Sequence, residues 1–281
     1  MNNRQSSTVL LATLAANLSV CLAQEAADKS PFTLFNPTPG ELRRPMSADR
    51  PDATESPYTV DAGAVQLEMS FLEFATSRSG GNRTDVWSAA PINLKVGLTN
   101  STDLQFLFDP RIAQRGSNGV DTDGIGNTGL RLKVNLYGND TGSTAVAILP
   151  FFSFPTGDHD VASDHVEGGI VIPLATELSG GWGLGMQVEF AFQRNATNTG
   201  YDTIFAHTAA LGHDITNEIA GYIEYIGIIA IDTGDDYSPS LSSGLTYAHA
   251  PDLQFDFGVV IGLDQGDTED LGLFTGVTIR Y

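Results

Sequence analysis

Five histidines, one cysteine and a large excess of carboxylates are the groups in this 281-residue chain that could carry chemistry. The histidines are His159, His165, His207, His213 and His249. None stands in the H-E-x-x-H pattern that sets two imidazoles on one helical face around zinc, and none accompanies a serine in a nucleophile motif. His159 and His165 share a stretch with Asp158, Asp160 and Asp164, a set suited to a weak metal site or a carboxylate–histidine pair. Further acidic runs are Asp121 and Asp123; Asp232, Asp235 and Asp236; and Asp264, Asp267, Glu269 and Asp270. Oxygen-rich loops of this kind either bind calcium or magnesium and bridge to lipopolysaccharide phosphates, or form a solvated, repulsive surface. Asp121-Thr122-Asp123-Gly124 matches only the start of a calcium loop, its later ligands being absent. No catalytic residue, metal ligand or cofactor is therefore assigned, and the expectation is a protein that is not an enzyme.

A second polar set falls at every other position of strand-like runs: Gln66, Glu68, Asn93, Lys95, Gln105, Arg131, Lys133, Asn135, Gln187, Glu189, Glu224, Asp256 and Arg280. Lys95, Arg131 and Lys133 come from early runs, whereas Glu189, Glu224 and Asp256 come from late ones. In a closed barrel these signs would form two opposed walls, able to orient a dipolar solute. The alternative is that the same groups pair into a network that fills and closes the lumen.

The elements that would position them alternate with period two. Trp182, Leu184, Met186, Val188, Phe190 and Phe192 are separated by Gly183, Gly185, Gln187, Glu189 and Ala191. Twelve such runs are expected, near 62–75, 85–98, 102–109, 128–138, 143–154, 165–175, 181–193, 202–211, 216–230, 240–249, 252–262 and 271–281. Short turns alternate with longer loops near 76–84, 110–127, 155–164, 194–201, 231–239 and 263–270. An even strand count with short turns at one end and long loops at the other predicts an all-β, transmembrane, antiparallel up-and-down barrel of about twelve strands, both termini periplasmic. A soluble periplasmic sandwich would show the same alternation with its apolar face inward. The last run favours the barrel. Counting back from Tyr281, the residues Ile279, Val277, Thr275 and Leu273 share one face, so Leu273, Val277, Ile279 and Tyr281 form the pattern of a C-terminal assembly signal. That face would meet lipid and place Arg280 in the lumen.

The ends and the overall charge agree. Arg4 precedes an apolar run from Val9 to Ala23, with Cys21 and Ala23 at the −3 and −1 places of a cleavage site, so residues 1–23 read as an export signal. Val20 before Cys21 argues against lipidation, and with Cys21 removed the mature chain holds no thiol. Residues 24–61 are proline-rich and carry Arg43, Arg44 and Arg50. They read as a periplasmic lead-in, or as a partial plug whose arginines meet the acidic wall, ahead of a barrel at 62–281. A formal net charge of −20 repels nucleic-acid phosphates and excludes that partner.

The stretch from Pro45 to Gly63, with Asp49-Arg50-Pro51-Asp52 at its centre, is followed by Val65-Gln66-Leu67-Glu68. Together with Asn93 to Leu98, Gly129 to Asn135, Leu149-Pro150-Phe151 and Gly181 to Gly185, in that order, it resembles a bacterial family of outer-membrane transporters labelled phenol-degradation (MetA) pathway proteins. The resemblance runs from about residue 36 to the end. It implies a barrel and a transport role, and carries over no catalytic residue. The expected function is an outer-membrane channel for small solutes, hydrophobic or aromatic ones included; the alternative is a closed structural or adhesive barrel with acidic surface loops. The expected partners are outer-membrane lipid and lipopolysaccharide, the barrel assembly machinery and small-molecule solutes.

Overall fold

The computed structural model describes residues 27–281 apart from 80, 118, 196, 233–236 and 265–268. The export signal read at 1–23, and Asp235, Asp236 and Asp267 of the acidic runs, lie outside the described residues. Fifteen strands follow one another: β1 (Val65–Ser79), β2 (Asn82–Ala89), β3 (Ile92–Thr99), β4 (Thr102–Phe108), β5 (Arg111–Gly116), β6 (Asp121–Gly124), β7 (Thr128–Tyr137), β8 (Thr144–Phe154), β9 (Glu167–Glu177), β10 (Trp182–Arg194), β11 (Tyr201–Asp214), β12 (Ile219–Ala230), β13 (Ser238–Ala250), β14 (Leu253–Gly262) and β15 (Glu269–Arg280). Three pairs are single staves of the wall with a break inside them. Ala90 at φ 55 and Pro91 interrupt β2/β3, Asp109-Pro110 interrupts β4/β5, and residues 125–127 interrupt β6/β7. A proline has no N–H for the ladder, so pairing lapses there and resumes beyond it. The wall is therefore a twelve-stave antiparallel barrel.

Closure is made by the first and last strands, which pair from Gln66↔Arg280 to Ser77↔Glu269. Val65 and Tyr281 add backbone hydrogen bonds of 3.4 and 2.8 Å, so the start and the end of the wall meet at one end of the barrel, the terminal end. Pairing β1 with β15 removes the edges that these two strands would otherwise expose. At the opposite, loop end, two expected loops are largely strand. Ser79 pairs Asn82 across Gly81 at φ 85, and Arg115 pairs Asp121. These extensions carry charge rather than apolar alternation, which is why periodicity missed them. Cross-strand ion pairs, Arg111–Asp123 at 2.6 Å and Arg115–Asp121 at 3.7 Å, accompany the second one.

Burial is inverted relative to a water-soluble domain. Large apolar side chains such as Phe106, Leu132, Met186, Phe190, Phe257 and Leu273 are exposed around the outside, whereas Gln66, Glu68, Lys95, Asp103, Gln105, Lys133 and Glu224 are at most 3% exposed. Water would penalise so continuous an apolar surface, and only a hydrocarbon surrounding makes it favourable. No helix among the described residues is long and apolar enough to cross a membrane. Val188 lies at the middle of β10 on the outward face, in register with Ile172 and His207. Val188→Arg is expected to destabilise the folded barrel by about 2–4 kcal/mol, the cost of a cation at mid-bilayer. Urea titration in lipid vesicles, read by heat-modifiable gel mobility, checks it.

Candidate functional site within the barrel lumen

Before reaching β1, the chain runs through the inside of the barrel. Residues 47–61 touch inward-facing side chains of β1, β3, β4, β7, β10, β11, β12 and β14, which together span the circumference. Glycines on the inner face make room for it. A Cβ at Gly97 would lie 2.0 Å from the Asp61 carbonyl oxygen, and one at Gly276 would lie 2.5 Å from the Arg50 guanidinium.

The segment meets the two walls with opposite ends of its own charge pattern. Asp49 turns to the basic wall. Its carboxylate accepts from Lys133 Nζ at 2.9 and 3.0 Å and also from Lys95 Nζ, which Glu68 shares. Ser56 N–H donates to the same Asp49 carboxylate at 2.8 Å, and the Asp49 N–H donates to Glu68 at 3.1 Å. Glu55 pairs with Arg131, whose guanidinium lies 5.9 Å from the Phe151 ring centroid, and the Glu55 N–H donates to Gln187 at 2.7 Å. Arg50 turns the other way. It makes a two-pronged bond to Asp256 at 3.0 and 2.7 Å and also donates to Ser70. Glu224 pairs with no cation among the described residues; it accepts from the Ala53 N–H at 2.9 Å and the Thr54 hydroxyl at 2.7 Å. Buried charges survive when paired and hydrogen-bonded, and these are satisfied from the segment rather than across the lumen.

At the terminal end a second cluster fastens the segment where it enters and where it leaves. Asp61 accepts from the Arg44 N–H at 2.9 Å and pairs with Lys29 at 3.3 Å, while Asp140 pairs with Lys29 at 2.7 Å and Arg44 at 2.9 Å. Arg280 pairs with Asp252 at 2.6 Å and donates to the Arg44 carbonyl at 2.8 Å. Burial works against the Asp140 carboxylate. Hydrogen bonds from Asn100 and Lys29 and the charge of Arg44 outweigh it and hold the group below its ordinary value.

Of the residues singled out by alternation, Glu68, Lys95, Arg131, Lys133, Gln187, Glu224 and Asp256 gather on this segment, whereas Arg280 belongs to the terminal-end cluster. Glu189 faces the Arg131 charge without closing an ion pair with it. Leu273, Val277, Ile279 and Tyr281 share the outward face of β15; Leu273 and Tyr281 are exposed, and Val277 is covered between Met69 and Phe255. The histidines stand apart from the lumen cluster. His159 pairs with Asp164 in an exposed loop, His207 stacks on Tyr237, and His213 packs on Trp182. No group of three or more His, Cys, Asp or Glu able to hold a metal occurs among the described residues. Strand reasoning missed Asp49, Thr54, Glu55, Ser70, Asp103, Gly97 and Gly276. The signal for Asp49, Thr54 and Glu55 was the charged, proline-flanked run at 49–52, which has no strand period to betray its partners; Ser70, Gly97, Asp103 and Gly276 share the parity of the inward residues on their strands.

A family model described as "Putative MetA-pathway of phenol degradation" matches residues 48–281, so the match takes in the Asp49–Asp52 stretch. No curated protein matches the chain. Among solved structures, the chain is similar to the COG4313 outer membrane channel from Pseudomonas putida F1, with TM-score 0.61 and 13% identity over 84% of this chain and 100% of that one. It is also similar to the β domain of the Bordetella autotransporter BrkA, with TM-score 0.51 and 12% identity over 77% and 98%. The NanC porin aligns with TM-score 0.50 and 9% identity over 76% and 98%. At such identities the likeness is one of fold.

Two expectations follow from the ion pairs. Asp49→Asn leaves Lys133 with only Glu55, 3.9 Å away, and Lys95 with only Glu68. Breaking a buried pair of this kind costs about 3–5 kcal/mol, so subtilisin should newly cut inside 45–61, and urea titration should show the loss. Asp140 is depressed in the folded state, so its contribution is present above the unfolded carboxylate value near 3.9 and is lost as pH falls through the folded one. The difference in thermal midpoint between wild type and Asp140→Asn should thus be full above about pH 5 and vanish in stronger acid. A constant difference across that range would contradict the pairing.

Proposed function

Since the chain belongs to the family described as "Putative MetA-pathway of phenol degradation", and its fold is that of outer-membrane barrels, we propose that it passes small solutes across the outer membrane through a lumen narrowed by its own residues 45–61. The observation that carries this is the inverted burial: an apolar exterior around an interior of paired charges, glycines and unfilled space. A structural barrel needs only the exterior. The space left beside the segment is what a channel needs and a structural barrel does not. On this reading residues 1–23 are a cleaved export signal, both termini face the periplasm, and the β15 face ending at Tyr281 is read by the assembly machinery. The acidic loops then face outward toward lipopolysaccharide. The lumen residues Glu68, Lys95, Arg131, Lys133, Glu224 and Asp256 hold the segment in place, and the solute moves past it without covalent change. The solved P. putida relative is named as a channel, which agrees with this reading.

One observation favours a closed barrel instead: the segment satisfies the charges of both walls. Planar-bilayer recording of the purified full chain separates the two. A channel should give small discrete potassium currents that rise several-fold when residues 45–58 are deleted. A closed barrel gives none from the full chain.

A further inference from the structure

The segment leaves a run of space along one side of the lumen, whereas on the other a cavity of about 340 Å³, among Tyr58, Gly138 to Gly142 and Glu177, stays at the terminal end. Toward β3, β7, β8 and β9 the interior is packed: Lys95, Lys133, Leu149 and Val171 are at most 2% exposed. Toward β10–β15 two cavities meet the segment at one place. The first, about 420 Å³, lies on the loop-end side and is bounded by Val86, Ile226, Val260 and Phe274. The second, about 330 Å³, lies on the terminal-end side and is bounded by Gly183, Gly212, Tyr222 and Thr246. Arg50, Pro51 and Asp52 form part of both linings. Gln254 joins the second cavity to a third, of about 770 Å³, set among residues 217–218 and 248–252 at the terminal end. The three follow one side of the wall along the barrel, interrupted at Arg50–Asp52.

We propose that solutes cross along this β10–β15 side, and that Arg50 and Tyr222 are the residues that set what passes. The inference rests on the channel reading. The constriction is formed by the segment at Arg50 to Asp52 and by rings lying on the wall. A Cβ at Gly244 would lie 2.7 Å from the Tyr222 ring, and one at Gly258 would lie 2.3 Å from Phe274, so the glycines let both rings lie flat against the strands. Tyr222 is pinned by a 2.9 Å bond between its hydroxyl and Ser242, and Arg50 by Asp256 and by Phe274, 6.0 Å away. The Arg50–Asp256 pair and the Asp52 carboxyl stand at the same narrowing, so an ion of either sign meets a like group and passes only as a small current, and small uncharged solutes are the class favoured.

The test is arabinose entry into liposomes holding the full chain, with folding checked by heat-modifiable mobility. Tyr222→Ala should raise the rate about fivefold, while Leu149→Ala, on the packed side, should leave it within about twofold. Thr246→Cys, which lines the terminal-end cavity, should lose about tenfold of its rate on treatment with a methanethiosulfonate reagent that leaves the wild-type rate unchanged. If Tyr222→Ala does not fold, the Thr246→Cys measurement decides alone. Arabinose entry that responds to Leu149→Ala instead, or that ignores modification of Thr246→Cys, overturns the route and leaves the channel standing. No entry through wild type and Tyr222→Ala alike overturns both.

Discussion

Asp49 between Lys95 and Lys133 is the contact on which the interior depends. Two ammonium groups on the staves either side of β4 in a narrow barrel, nearly sealed from water, would repel each other and carry a desolvation penalty of several kcal/mol each. One carboxylate from outside the wall, joined by Glu68, removes both problems at once. The segment that brings Asp49 must then cross the lumen, and the residues on either side of it find partners as a consequence. Arg50 reaches Asp256, Thr54 reaches Glu224, and Glu55 reaches Arg131.

The outside of the barrel follows the reverse logic. Its apolar side chains gain nothing from each other that lipid would not supply, so the wall is held by backbone ladders and closure rather than by a hydrophobic core. The small apolar cluster of Ala147, Leu149 and Val171 is inside, on the packed flank of the segment. Stability and function are thus divided between two sets of bonds. The ladder keeps the cylinder, and the ion pairs decide how much of it is open. Holding the segment by side chains, with few backbone ladders to it, leaves the filling separable from the wall.

The lumen also shows what glycine does in such a strand. At Gly97, Gly244, Gly258 and Gly276 the missing Cβ is occupied by another part of the chain: a carbonyl, a tyrosine, a phenylalanine, an arginine. These positions look like weak strand formers when read singly. Their effect is to let bulky groups lie flat on the wall, so that a twelve-stave barrel holds a segment and still keeps space beside it.

Period-two alternation determined most of the architecture from the residues alone. It told which residues of β7, β10, β14 and β15 face outward and which face inward, because each side chain's facing depends only on the parity of its position. It also set Lys95, Arg131 and Lys133 against Glu189, Glu224 and Asp256 around a closed wall, although Glu189 lies within the field of Arg131. It missed the strand extensions at the loop end, where charged residues replace the apolar face, and the breaks at Pro91 and Pro110. What occupies the space between the walls was decided by the tertiary structure. Residues 45–61 have no period, and their partners lie as far as 206 positions away, as in the Arg50–Asp256 bond. A local pattern fixes which way a side chain points, but a non-periodic segment takes its position from charges and gaps that exist only once the barrel has closed.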